Sequence, residues 1–167
     1  MPPLVVLVGP PGSGKSTVAA MVAQRLGVDL RDTDDDVERE AGATVSDIFV
    51  EHGEDEFRRR EVAAVERAVS EHDGVLALGG GAVLDGRTRE RLGGLTVVFL
   101  DVGIKDAAAR IGLNRDRPLL IGNPRAQWIR LMEARRPLYD EVATSRLDTD
   151  GKTADQVADE VVAHLSR

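Results

Sequence analysis

Residues 9–17 read G-P-P-G-S-G-K-S-T and follow directly on the apolar run L-V-V-L-V at 4–8. Residues 9–16 match G-x-x-x-x-G-K-[ST] in full. In that pattern the glycines let backbone N–H groups approach phosphate oxygens, and the helix that opens at Lys15 points its positive dipole end at them. Lys15 has the reach for the outer phosphates, and the Ser16 hydroxyl suits Mg²⁺. Gly12, Ser13, Gly14, Lys15, Ser16 and Thr17 are therefore the candidate nucleotide-binding residues. A chance glycine-rich turn would lack both the strand before it and the helix after it.

The cradle alone does not name an acceptor. A guanine-reading N-K-x-D or T-K-x-D is absent, and the three lysines, Lys15, Lys105 and Lys152, lie in no such context. Motors and helicases generally need longer chains than these 167 residues. What remains is a kinase of a small acceptor or, in a different class, a non-catalytic ATP-binding regulator. The net charge of -7 argues against a nucleic-acid partner. With no cysteine there is neither a disulfide framework nor a cysteine–zinc site. No apolar run approaches the roughly 20 residues that span a bilayer, so no membrane partner is expected. The cradle begins at Gly9, which leaves no room for a signal peptide before it, and a cytoplasmic monomer is the expectation.

Further residues suited to chemistry lie downstream. Asp32 and Asp34 follow a second short apolar segment; one can serve Mg²⁺ and the other an acceptor hydroxyl. An acidic helix start explains Asp35 and Asp36 equally well. In the segment Glu54–Glu71, Arg58 lies four before Val62, seven before Val65 and eleven before Val69. At ~100° per residue Arg58 and Glu61 fall on or beside the apolar face, while Arg59 and Arg60 point away. A charge there is costly unless paired, and Glu61 at i+3 can hold the guanidinium. Gly79, Gly80 and Gly81 suit close approach by another molecule, or simply a flexible turn. Residues 112–124, with Arg115 and Arg117, read as a loop long enough to be a lid. Arg135 and Arg136 both lie near the face marked by Trp128, Leu131 and Met132, so periodicity does not choose between them. Trp128 and Tyr139 read as packing residues, and His52, His72 and His164 as surface or helix-end residues.

Alternating strand and helix patterns must position these groups. Strands are predicted at 4–8, 28–31, 75–78, 96–100 and 146–148. Helices are predicted at Lys15–Leu26, 33–40, 45–53, Glu54–Glu71, 88–92, 105–111, 125–136 and Ala154–Leu165, with Pro137 ending or kinking the seventh. T-V-S-D at 44–47 and T-A-D-Q at 153–156 resemble capping boxes. The expected class is α/β, a three-layer arrangement with a five-stranded parallel sheet flanked by helices in a single domain over 1–167. Ligands in such folds bind beyond the carboxyl ends of the strands, where the cradle, residues 32–34 and residues 79–81 all fall.

Taken in order, D-T-D at 32–34, D-I-F at 47–49, G-E-x-E-F-R at 53–58, G-G-G-A at 79–82, R-P-L-L at 117–120 and R-x-P-L-Y at 135–139 resemble the shikimate kinase family, most closely its actinobacterial forms. The resemblance implies a nucleoside-monophosphate-kinase-like P-loop fold, with an acceptor-binding segment at about 33–61 and a lid at about 112–124. It implies transfer of the ATP γ-phosphoryl to the 3-hydroxyl of shikimate, with Mg²⁺ as cofactor. By this resemblance Asp34 binds the shikimate hydroxyls and is the candidate base, while Arg58 and Arg135 hold the carboxylate. Gly79, Gly80 and Gly81 line the acceptor pocket. Arg117 reaches from the lid to the phosphates, Asp32 joins Ser16 at Mg²⁺, and Arg110 stacks near adenine. The motif R-x-P-L-Y selects Arg135 over Arg136. The adenine loop, D-G-K-T at 150–153, has Lys152 as its basic candidate but lacks the proline often found there. A gluconate-type kinase is the alternative within the same class.

Arg58→Ala is expected to weaken shikimate binding by roughly tenfold or more and to leave ATP binding nearly intact. Arg59→Ala is expected to change neither. Calorimetric titration checks both, and equal effects would overturn the assignment of helix faces.

Overall fold

The computed structural model describes residues 2–112 and 123–166. Five strands, β1 (Val5–Val8), β2 (Leu30–Asp32), β3 (Val75–Ala77), β4 (Val97–Asp101) and β5 (Ser145–Asp148), form one parallel sheet in the order β2-β3-β1-β4-β5. The eight helices among the described residues are α1 (Lys15–Leu26), α2 (Thr33–Ala41), α3 (Val45–His52), α4 (Glu54–Glu71), α5 (Gly86–Arg91), α6 (Ile104–Ile111), α7 (Pro124–Val142) and α8 (Ala154–Leu165).

Strand alternation sorts the core into two layers. Val5 and Leu7 face α1 and α8, packing with Val18, Val22, Val157 and Val161. Val6 and Val8 face the other way, toward Val65 of α4 and Trp128, Met132 and Tyr139 of α7. β1 is thus buried on both faces and reads as an unbroken apolar run, as parallel sheets covered on both sides require. A smaller cluster of Val37, Ile48, Phe57 and Ala64 ties α2, α3 and α4 together beside the sheet.

β1 pairs with β3 on one edge and β4 on the other. The strand order reverses there, so a crevice opens beyond its carboxyl end. The turn at residues 9–14 sits in that crevice. Among the described residues no helix is long and apolar enough to cross a membrane.

Local differences from the sequence expectation have identifiable causes. The second strand lies at Leu30–Asp32 rather than 28–31, because pairing with β3 sets Leu30 opposite Val75 and Asp32 opposite Ala77. A short 3-10 turn at Ala82–Leu84, a stretch for which the sequence predicted no element, follows the triple glycine. Pro137 neither ends nor breaks α7. Its ring faces solvent, and Glu133, whose carbonyl loses a partner four residues back, is exposed to water. Met132 before the proline and Tyr139 after it are both buried and hold the helix to the sheet. At Thr44 only half of a capping box forms: its hydroxyl accepts from the Asp47 N–H, while Glu38 takes the Val45 N–H.

At Thr153 both halves form, with Gln156 N–H donating to the Thr153 hydroxyl at 3.2 Å and Thr153 N–H to Gln156 Oε1 at 2.8 Å. Thr153→Ala is expected to cost about 1 kcal/mol and to lower the midpoint of thermal unfolding by roughly 2–4 °C. A melt followed by circular dichroism measures it.

Candidate active site

The turn from β1 to α1 leaves no room for a side chain at Gly12. Gly12 has φ +89°, and a Cβ there would lie 2.9 Å from Ala107 of α6. Gly14 is left-handed as well and serves as the N-cap of α1. Trp128 closes the loop from below, its indole N–H donating to the Pro11 carbonyl at 2.9 Å. Lys15 reaches back over the loop to the Gly9 carbonyl at 3.3 Å. Removal from water pushes its ammonium pKa down, against the opposing pull of Asp32 and Asp34.

A cleft of about 480 Å³ runs from this loop to Arg110, Thr149 and Lys152, with Ala154 and Val157 as its apolar side. Its lining includes Gly12, Ser13, Gly14, Ser16 and Thr17. Arg110 spans the cleft: its guanidinium donates to the Gly12 carbonyl (3.1 Å), the Thr149 hydroxyl (2.9 Å) and the Thr149 carbonyl (2.7 Å). It therefore holds the cradle against the loop after β5. Lys152 lines the same cleft, but its ammonium is engaged by Glu160 at 3.0 and 3.1 Å.

Four elements converge beside the cradle. Asp34 comes from the first turn of α2, Arg58 and Glu61 from α4, the glycines from the end of β3, and Arg135 from α7. A Cβ on Gly79 would lie 2.5 Å from Asp34 Oδ1 and 2.9 Å from Glu61 Oε2. One on Gly81 would overlap the Arg58 guanidinium, and one on Gly80 would sit 3.6 Å from Arg135 Nη1. At Gly79 and Gly81 the bare backbone is what allows Asp34, Glu61 and Arg58 to close around the loop. Arg58 donates to Glu61 at 2.8 Å and lies over the rings of Phe57 and Phe49, at 5.2 and 6.0 Å. Arg59 is exposed and pairs with Glu56; Arg60, expected to point away, is half-buried and pairs with Glu56 too. The buried stripe of α4 runs Phe57, Glu61, Ala64, Val65, Ala68, which puts Glu61 at its centre and Arg58 at its edge.

Periodicity left Arg135 and Arg136 unresolved. Arg136 turns to Asp101 at 3.0 Å, whereas Arg135 faces the glycine loop, and no described carboxylate lies within ion-pair distance of it. Asp32 has a structural task as well: its Oδ1 accepts the Asp34 N–H at 2.9 Å as the N-cap of α2. Asp36 is buried and bound to Arg31 at 2.7 Å, more than a simple complement to the helix dipole. Arg117 and the rest of the 113–122 segment lie outside the described residues.

No group of three metal-ligating side chains gathers among the described residues. The donors present, the exposed Ser16 hydroxyl and the second oxygen of Asp32, still fit Mg²⁺. That ion keeps several waters and takes one or two protein ligands plus phosphate oxygens.

The shikimate kinase family profile matches residues 11–166. A shikimate kinase from Streptomyces avermitilis is 57% identical over 163 residues, covering 98% of this chain and 95% of the relative. One from Frankia casuarinae is 55% identical over 162 residues, covering 97% and 72%. The chain belongs to the shikimate kinase family. The solved shikimate kinase from Acinetobacter baumannii in complex with shikimate is 36% identical, with a TM-score of 0.89 over 99% of this chain and 93% of that one. A gluconokinase from Sinorhizobium meliloti reaches a TM-score of 0.62 at 23% identity, covering 99% of this chain and 93% of that one, a likeness of fold alone. The shikimate kinase fold, with its five-stranded parallel sheet between helices, is therefore established for this ATP-dependent kinase, and the gluconate-type alternative is not favoured.

Two features of this shikimate kinase site escaped the sequence reading. Trp128 and Tyr139 do more than pack: the Tyr139 hydroxyl donates to the Gly80 carbonyl at 2.5 Å, just as Trp128 holds Pro11. The available signal is general, since a buried indole N–H or phenol O–H usually finds an acceptor. Burial pushes the Tyr139 phenol up to about 12, so it remains a donor at neutral pH.

Asp34 Oδ1 and Glu61 Oε2 are buried without a hydrogen-bond partner. Burial raises both pKa values; Glu61 raises that of Asp34 further, while Arg58 opposes the rise at Glu61. A carboxyl whose folded pKa exceeds its unfolded value stabilises the fold only while protonated, so stability falls as pH climbs from about 3.8 through the raised value. Asp34→Asn is expected to raise the unfolding midpoint of the ligand-free protein at neutral pH and to flatten this part of its pH profile. The same variant is expected to lower turnover by about tenfold or more while barely changing ATP affinity. Thermal melts and steady-state kinetics measure the two effects.

Proposed function

We propose that this chain transfers the γ-phosphoryl of ATP to the 3-hydroxyl of shikimate, giving 3-phosphoshikimate and ADP, as a cytoplasmic, monomeric, single-domain enzyme. The observation that carries the reading is the convergence of Asp34, Arg58 and Arg135 on the triple glycine, directly beside Lys15. Two arginines flank the glycine loop, which suits a carboxylate. A buried carboxylate with a free oxygen suits a hydroxyl. A hydroxylated acid satisfies both.

In this reading Arg58 and Arg135 grip the shikimate carboxylate and so fix the ring. Asp34 accepts the hydrogen bond of the reacting hydroxyl. That oxygen forms its bond to the γ-phosphorus as the bond to the β,γ-bridging oxygen breaks, and the proton passes to Asp34. Because phosphoryl-transfer transition states are loose, aiming the hydroxyl contributes more than removing its proton. Lys15, with the N–H groups of Gly12 and Gly14, stabilises charge on the outer phosphates, while the Ser13 N–H holds the turn through the Pro10 carbonyl. Ser16 and Asp32 would hold Mg²⁺, which supplies charge neutralisation across the β- and γ-phosphates when bound. Thr17, Arg110 and Lys152 border the nucleotide. Residues 33–61 serve as the acceptor segment and 112–124 as the lid that brings Arg117 over the phosphates.

Incubation with Mg-ATP and shikimate is expected to release ADP in proportion to shikimate consumed. Folded, ATP-binding protein that gives no shikimate-dependent ADP would overturn the reading. A preference for another hydroxylated acid would favour a different metabolite kinase, and no turnover with any acceptor a regulator.

A further inference from the structure

Helix α7 touches both halves of the site through buried aromatic donors. Trp128 donates to the carbonyl of Pro11 in the phosphate loop, and Tyr139 to the carbonyl of Gly80 in the acceptor loop. The two loops also meet: a Cβ on Gly80 would lie 3.4 Å from Pro11 Cδ and 3.5 Å from the Gly9 carbonyl oxygen. Every peptide bond among the described residues is trans. In a planar trans peptide, a carbonyl and the N–H of the next residue point in opposite directions. Holding the Pro11 carbonyl down on Trp128 therefore turns the Gly12 N–H up into the cradle. Holding the Gly80 carbonyl on Tyr139 turns the Gly81 N–H to the opposite side of that peptide; Gly81 is itself buried, with the Arg58 guanidinium against it. Neither N–H meets a protein acceptor among the described residues. The tension is physical: glycine-rich backbone has many orientations available, and an N–H aimed at substrate must be held by something other than its own side chain.

We infer that Trp128 and Tyr139 are positioning residues, each setting the peptide plane of one substrate loop from the common frame of α7, Trp128 for the nucleotide and Tyr139 for the acceptor. Neither touches the reacting atoms. They act through the Gly12 and Gly81 N–H groups, and α7, which also carries Arg135, keeps the two planes in register. The inference rests on the shikimate reading for its acceptor arm; its donor arm needs only nucleotide binding.

The test is a crossed pattern in steady-state kinetics. Tyr139→Phe keeps the ring, which packs on Phe99 with centroids 4.9 Å apart, and deletes only the hydroxyl, which donates to Gly80 and also hydrogen-bonds Arg135. It is expected to raise KM for shikimate about tenfold, the effect of the lost hydrogen bonds, and to leave KM for ATP within about twofold. Trp128→Phe is expected to do the reverse. Phe99→Leu serves as the packing control: it should lower the unfolding midpoint and leave the ratio of the two KM values unchanged. Equal changes in both KM values, no change in either, or a shifted ratio in Phe99→Leu would overturn the inference. If the wild type turns over no shikimate, the proposed function fails first, and calorimetric ADP binding then reads the donor arm: Trp128→Phe must bind ADP about tenfold more weakly than wild type and Tyr139→Phe like wild type, or the inference fails too. If either variant melts too low to assay, amide shifts of glycine-labelled protein take its place. Addition of ADP to wild type must then move the Gly12 resonance, and shikimate that of Gly81; no movement of these resonances would count against it.

Discussion

The site depends on the burial of one short strand. Val5–Val8 is covered on both faces by helices and paired on both edges by parallel neighbours. Its path is therefore fully constrained, and so is the point where the chain leaves it. That exit lies where the strand order reverses, a position where connections leaving adjacent strands run to opposite faces and open a crevice for ligand. The cradle is formed there because glycines 12 and 14 can take left-handed conformations and because the Gly12 backbone lies against Ala107. β3 ends alongside, so the acceptor loop and the cradle meet without a long connection.

The second constraint is charge. Asp34, Glu61, Arg58, Arg135 and Lys15 share a small volume partly withdrawn from water. Burial costs Lys15, Asp34 and Glu61 solvation, as the directions of their pKa values record. Only Arg58 and Glu61 compensate each other directly. The others are held near one another by the packing of α2, α4 and α7 around the sheet. Such a cluster weakens the empty fold and is ready for a ligand whose hydroxyls and carboxylate supply the missing partners.

Much of the architecture was legible in the sequence because it rests on local patterns. The alternation of strands and helices, the boundaries of α1, α4 and α8, and the parallel sheet follow from apolar periodicity, caps and glycine stops. The departures are tertiary. The second strand took its register from β3. α7 ran on through Pro137 because buried contacts flank the proline and water serves the carbonyl it orphans. Arg58 and Glu61 were legible as an inward pair because helical spacing sets their face. The Arg60 expectation was incomplete, since a face does not say how far a neighbouring helix covers it.

By itself the sequence determined the phosphate loop, the inward Arg58–Glu61 pair and the ordered motifs that mark a shikimate kinase, since each depends on residues close together in the chain. The motif already points to Arg135 over Arg136; the tertiary structure supplied the contact, with Arg136 turned to Asp101 and Arg135 beside the glycine loop. Only the tertiary structure showed that Asp32 also caps α2, that Lys152 is engaged by Glu160, and that Trp128 and Tyr139 hold the two substrate loops. The reason is physical. A side chain's periodicity is set by its own helix, but its hydrogen-bond partner is set by whichever distant segment packs against it, and that pairing is written in no local spacing.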